Sequence, residues 1–358
     1  MMTGAKACPI CFSGLVLTIG QQLDAADRAV LAVPLGDRGQ FQIVAVIKGK
    51  SAIGEIVTDP VSKLDSAALR SGKPLLLLEN DLTERWTSMG AIGGEYAPWL
   101  RRLAVTGHVG KASAKQGWPR VSFMSSDMTD DEWRVRLELV APYLENTEPL
   151  AAEIAFGEMM RAPYATLASI KPIIESMPIE IWTDDPKLAS RRATYTLLLG
   201  IVGHPDEAAR LELRLETALR SHDATNLSAM LAADLEIRGP VRVASIEKDY
   251  LADGSRTLPE IEAALLALSV HGGANGAVPR ERVIQAYRFF MEAHKPMAGF
   301  VAPDLGDWGY WDAVPEYAAL LKSDALKDPA SSLAVVSYLQ RAPHPAAQSA
   351  RQSTDKGE

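Results

Sequence analysis

Apolar positions along the chain follow two different periods. From about residue 29 to residue 80 they fall in short runs separated by turn residues. Phe41-Gln42-Ile43-Val44-Ala45-Val46-Ile47 is rich in β-branched side chains and closes on Lys48-Gly49-Lys50, which predicts a strand. Ala29 to Val33 is a shorter run ahead of it, and Gly36-Asp37-Arg38-Gly39 between the two is a turn cluster. Gly54-Glu55-Ile56-Val57-Thr58 predicts a strand stopped by Asp59-Pro60. Lys73-Pro74-Leu75-Leu76-Leu77-Leu78-Glu79 reads as a buried strand, because the run is short and flanked by Gly72 and Asn80. Short strands at this spacing predict a small antiparallel barrel or sandwich.

Residues 81–128 are glycine-rich, contain Trp86, Trp99 and Trp118, and show little periodicity. They read as the edge of the first module plus a connector, with a short helix starting near Pro98. From Thr129 the period becomes helical. Met128-Thr129-Asp130-Asp131-Glu132 offers a capping residue and an acidic first turn. Trp133, Leu137, Val140 and Leu144 then form one stripe. Further stripes are Tyr195, Leu198, Leu199 and Val202; Leu211, Leu215, Ala218 and Leu219; and Leu227, Met230, Leu231 and Leu235. Ile261, Ala264, Leu265 and Leu268 follow, then Val283, Ile284, Tyr287, Phe290 and Met291. Glycine and proline punctuate them, as at Gly203 with Pro205 and at Gly239-Pro240. The expected fold class is α+β in two domains. A small antiparallel OB-like β-barrel spans 8–104, a connector spans 105–128, and an all-α array of helical hairpins spans 129–341. That array is either an α-solenoid or an irregular bundle, and residues 342–358 are expected to be a disordered tail.

The helical region resembles the HEAT-type α-solenoid class over about residues 129–340. The resemblance rests on helix after helix with one apolar face, and on Asp184-Asp185-Pro186-Lys187 and Asp328-Pro329-Ala330 opening helices. The first module is similar to the netrin/tissue-inhibitor-of-metalloproteinase module. That likeness lies in the order of Cys8-Pro9-Ile10-Cys11, Asp24-Ala25-Ala26-Asp27, Val46-Ile47-Lys48-Gly49 and the Gly72 to Leu78 stretch. Such modules pair their N-terminal cysteines with later ones, and this chain has none after Cys11. The resemblance therefore implies a barrel topology and leaves an inhibitor role without support.

Composition narrows the function classes. Of 358 residues, 47% are hydrophobic and 23% charged, which is globular and not disordered composition. A net charge of −8 argues against nucleic acid as a partner, because phosphate neutralisation needs clustered Lys and Arg. No run of about 18 apolar residues appears, so no transmembrane segment is expected. Three readings of the N-terminus stay open. Ala5-Lys6-Ala7 resembles the end of a signal-peptidase site, with 1–7 the remnant of a signal peptide and a mature start at Cys8; alternatively residues 7–20 are the apolar core of the signal; or the chain starts plainly in the cytoplasm. The first two imply a periplasmic or secreted protein.

Cys8 and Cys11 are the only cysteines. Their spacing suits one disulfide, a redox pair, or a soft-metal site for copper or zinc, with no histidine nearby to complete a zinc cage. The βαβ frame of a thioredoxin-like redox motif is absent from the sequence pattern, which favours a structural disulfide. Asp304-Leu305-Gly306-Asp307-Trp308-Gly309-Tyr310-Trp311-Asp312 is the densest polar-aromatic string. Asp307, Trp308, Tyr310, Trp311 and Asp312 are the candidate partner-binding residues, against a plainer reading as a helix–helix corner. His271-Gly272-Gly273-Ala274-Asn275-Gly276 lacks the phosphate-loop pattern and reads as an inter-helix loop. Glu153 with Glu158, and Glu212 with Glu216, read as solvated helix faces. No catalytic constellation and no cofactor is called. The expectation is a non-catalytic scaffold of the cell envelope that binds another protein, with thiol-dependent redox or metal handling as the alternative.

Overall fold

The computed structural model describes residues 5–6, 8, 10, 17–36, 39–58, 60, 71–80, 85–107, 125–126, 128–273 and 276–343. The chain divides into two compact units, Met1–Val202 and Gly203–Glu358. The change of hydrophobic period lies elsewhere, at 105–128, much of which is outside the described residues. The first helices after that change belong to the same unit as the sheet.

In the first unit, strands β2 (Arg28–Pro34), β3 (Gln40–Lys48), β4 (Ile56–Thr58), β5 (Leu75–Asn80) and β6 (Arg85–Ala91) form one sheet. Its order is β4-β3-β2-β5-β6 and every neighbouring pair is antiparallel. A separate pair joins β1 (Ala5–Lys6) to β7 (Ser125–Ser126). Successive side chains alternate faces in a strand. One face gathers Val30, Phe41, Ile43, Leu75, Leu77 and Trp86 into a core. Leu31, Leu76 and Leu78 point the other way and are buried too. The leucine run is therefore a strand covered on both faces, which explains why it shows no polar alternation. Gly49 has φ of +77°, and a Cβ there would sit 2.3 Å from the Asp27 carbonyl oxygen, so the end of β3 requires glycine.

Strand β6 was not legible in the sequence. Its Thr87 is exposed, but Ser88, Met89 and Gly90 are all half-buried, which hides the period. Pairing with β5, from Leu75 opposite Ala91 to Asn80 opposite Arg85, defines the strand instead.

Helices α1 (Ile19–Ala25), α2 (Ala97–Thr106), α3 (Asp130–Val140) and α4 (Pro149–Arg161) accompany the sheet, followed by α5 (Tyr164–Ser169), α6 (Lys171–Ile174), α7 (Ile179–Asp184) and α8 (Arg192–Val202). Helix α1 starts with a capping box: the Gln21 amide donates to Thr18 Oγ1 at 3.2 Å, and the Thr18 amide donates to Gln21 Oε1 at 3.0 Å. Thr129 and Glu132 form the same device on α3, where the sequence predicts a capping residue and an acidic first turn. Lys48 at the end of β3 donates to the Leu23 and Asp24 carbonyls at 3.2 and 2.7 Å. These are last-turn carbonyls of α1, where a cation is favoured.

The second unit is helical. It contains α9 (Pro205–Ser221), α10 (Leu227–Arg238), α11 (Val243–Ile246), a π-helical turn (Glu247–Leu251), α12 (Leu258–Gly272), α13 (Arg280–Ala293), α14 (Ala302–Asp307), α15 (Val314–Lys322) and α16 (Pro329–Arg341). Leu231, Leu265 and Tyr287 are buried, as is Leu198 in the first unit. Leu219 and Ile284, at the edges of their stripes, are half-buried. Among the described residues no helix is long and apolar enough to cross a membrane.

Candidate functional site

The residues singled out by sequence fall in different units, Cys8 in the first and the string at 307–312 in the second. Cys8 is buried and its amide donates to the Ala162 carbonyl at 3.1 Å. Cys11 lies outside the described residues. Phe12 and Leu15, within the stretch read as an apolar signal core, lie outside them as well, while Ile19 and Gly20 open α1.

The polar-aromatic string forms the end of α14 and the turn beyond it. The Trp308 ring stacks on Tyr287, with centroids 5.6 Å apart and planes 8° from parallel. The Arg280 guanidinium lies 5.7 Å from the same indole. Trp311 leans against Tyr338 at 5.0 Å, and the Tyr338 hydroxyl donates to the Tyr310 carbonyl. The Asp307 carboxylate accepts from Arg341 at 2.7 Å. Asp304 accepts from the Tyr287 hydroxyl at 2.7 Å. Trp308, Tyr310 and Trp311 remain half-buried, and Asp312 is exposed. The corner is thus packed and hydrogen-bonded on its inner side and open on its outer side.

His271 is a core histidine. Its Nε2 donates to the Ala232 carbonyl at 2.7 Å, and its Nδ1 accepts from the Ala277 amide at 3.4 Å. Burial pushes its pKa down, so the ring stays neutral.

The densest charge chemistry went unread in the sequence. Asp24 on α1, Arg136 on α3, and Glu158 and Arg161 on α4 form a buried network within the first unit. Arg136 Nη2 donates to both Asp24 oxygens, at 2.9 and 3.0 Å, and Arg136 Nε donates to Glu158 Oε2. Arg161 donates to Asp24 at 3.0 Å and to the two Glu158 oxygens at 3.0 and 2.8 Å. Arg136 Nη1 reaches the Leu103 carbonyl and Thr106 Oγ1, both at 3.2 Å. The Arg161 guanidinium lies 4.7 Å from the Trp133 ring centroid. Glu158 is completely buried, so it is not the solvated face its position suggested. The reason is tertiary: α1 presses its backbone onto α4. A Cβ at Gly20 would fall 1.7 Å from Glu158 Oε1.

Two carboxylates and two guanidinium groups leave no net charge, which is the condition for burying ions. Burial alone would lower the Arg136 pKa, but the Glu158 and Asp24 carboxylates outweigh it and hold the guanidinium above its ordinary value. Burial would raise Glu158, yet Arg136 and Arg161 bring it below the usual carboxylate range. Asp24 goes the other way: burial and the neighbouring Glu158 charge exceed the pull of the arginines and raise it. A sequence signal for this network exists in two places. Arg136 sits three residues after Trp133, on the buried stripe of α3. Glu158 is set in the apolar string Ala155-Phe156-Gly157-Glu158-Met159-Met160.

No family model, curated protein or solved structure matches this chain. Among the described residues, no three His, Cys, Asp or Glu side chains gather into a metal cage.

Proposed function

We propose that this chain is a non-catalytic interaction protein of the cell envelope, in which an OB-like module accompanies HEAT-like helical hairpins and the helical surface receives another protein chain. The observation that carries this reading is the corner at residues 307–312. Trp308 and Trp311 are braced from behind by Tyr287 and Tyr338 while staying half-buried. Aromatic rings already held in place lose little conformational freedom when a partner covers them, which is how interface anchors act. Exposed Asp312 beside them supplies a polar rim. The burial of Cys8 supports a structural role for the Cys8/Cys11 pair over a redox or soft-metal one, because thiolate chemistry needs an accessible sulfur.

The test is site-specific photo-crosslinking of the full chain in its native cells. A photoreactive phenylalanine replaces Tyr310 in one protein and exposed Glu262 in another. The expected result is a discrete protein adduct from position 310 and none from 262. That adduct should be lost in Asp312→Lys and Trp311→Ala variants whose melting is unchanged or only slightly lowered. Equal labelling from both positions, or an adduct indifferent to both substitutions, would remove the corner as a contact surface.

A further inference from the structure

Helices α9, α10 and α11 and the π-helical turn enclose a cleft of about 170 Å³ within the second unit. Sites for drug-sized ligands run from about 300 to 1,000 Å³, so this one matches the end of a single side chain. One wall is apolar, made by Leu215, Leu219, Leu231 and Ile246. The polar side is unbalanced. Glu212 and Asp234 are matched by two arginines: Arg238 reaches Glu212 at 3.0 Å and Asp234 Oδ1 at 3.3 Å, and Arg242 reaches Asp234 Oδ2 at 2.5 Å. Glu216 and Asp249 also line the cleft. The Glu216 side chain makes no hydrogen bond or ion pair among the described residues, and Asp249 meets Lys248 at 3.9 Å, a lysine that is itself 86% exposed.

Two further groups point to a ligand. Asp234 is 3% exposed, yet its Oδ1 has no hydrogen bond, the Arg238 contact falling outside bonding geometry. Tyr250 is 4% exposed, and its hydroxyl makes no hydrogen bond among the described residues. Buried polar groups are nearly always hydrogen-bonded, so the Asp234 oxygen is under-satisfied, while the Tyr250 hydroxyl stands open to the cleft with no protein partner among the described residues. The π-helical turn that carries Asp249 and Tyr250 is a local irregularity of the kind enriched at functional positions.

We propose that this cleft receives the cationic end of an arginine or lysine side chain presented by the partner protein. The methylene stem lies along Leu215, Leu219, Leu231 and Ile246, as long basic side chains do on apolar surface. The N–H donors face Glu216 and Asp249, whose charges no cation in the cleft matches among the described residues, and the Tyr250 hydroxyl lies on the same lining. This inference rests on the interaction reading and adds the chemistry of the partner.

The experiment titrates capped Gly-Arg-Gly, Gly-Lys-Gly and Gly-citrulline-Gly peptides into the isotopically labelled full chain. Amide resonances of residues 231–234 and 245–250 are followed. A basic peptide should shift them, and citrulline, which keeps the shape and loses the charge, should bind about tenfold more weakly or worse. A Glu216→Gln, Asp249→Asn double variant should lose about tenfold in affinity for the basic peptide. Its melting temperature should stay unchanged, because neither side chain holds the fold. Equal binding of citrulline, full affinity in the double variant, or no shift with either basic peptide at tens of millimolar would each overturn the proposal. Failure here with the position 310 adduct intact would remove the cleft and leave the interaction reading standing.

Discussion

Arg136→Met takes the central cation from the buried network of the first unit while keeping most of the side-chain volume. Arg136 donates to both oxygens of Asp24, to Glu158, to the Leu103 carbonyl and to Thr106. With it gone, Arg161 alone faces two carboxylates, and one negative charge is left uncompensated where Glu158 is 0% and Asp24 is 7% exposed. Breaking a buried pair by removing one partner costs about 3–5 kcal/mol, against about 5–15 kcal/mol for a whole fold. For a unit of this size each kcal/mol moves the melting temperature by about 2–4 °C, so the variant should melt about 6–20 °C lower. Thermal and urea unfolding followed by circular dichroism measure this, with the urea midpoint falling at unchanged slope. Arg134→Met is the matched control on the same helix. Arg134 meets Glu138 at 3.0 Å and Asp131 at 3.6 Å across exposed surface, and its loss should cost under about 0.5 kcal/mol. If Arg136→Met melts within about 2 °C of the parent, or no lower than the control, the network does not bear on stability. Replacing all four charges together by apolar residues of similar volume should be far milder than the single substitution, since the cost lies in the stranded charge.

Two further outcomes are expected. Leu231→Ala, at a 4% exposed position, should cost about 2–5 kcal/mol, and Glu262→Ala on an exposed face should cost under about 0.5 kcal/mol; urea unfolding distinguishes them, and a neutral Leu231→Ala would mean the stripe does not face the core. Glu260 is buried, which would raise its pKa, but the Thr257 amide and Arg256 outweigh burial and lower it from 4.5 to about 2. Because the folded value lies below the unfolded one, its stabilisation is present above about pH 4.5 and lost as pH falls toward 2. Glu260→Gln should therefore flatten the acid side of the stability profile over that window, and a profile of unchanged steepness would refute the assignment.

The sequence by itself determined the elements whose period is set locally. Strands such as Phe41 to Ile47 and stripes such as Leu227 to Leu235 are legible because each half-buried element must place its apolar residues on one side. The helix start at Thr129 is legible because a capping residue and an acidic first turn are also local signals. Only the tertiary structure decided which charges are inside. Glu158 and Arg136 look like ordinary helix residues until α1 lays Gly20 against α4 and brings Asp24 across more than a hundred residues of chain. A salt network depends on partners distant in sequence, and no period within one helix encodes them. Strand β6 and the cleft beside the π-helical turn belong to the same class. The first exists through pairing with β5, and the second through four helical segments that each present one or two of its polar groups. Hydrophobic pattern reports how a segment divides inside from outside, whereas a site is made where separate segments meet.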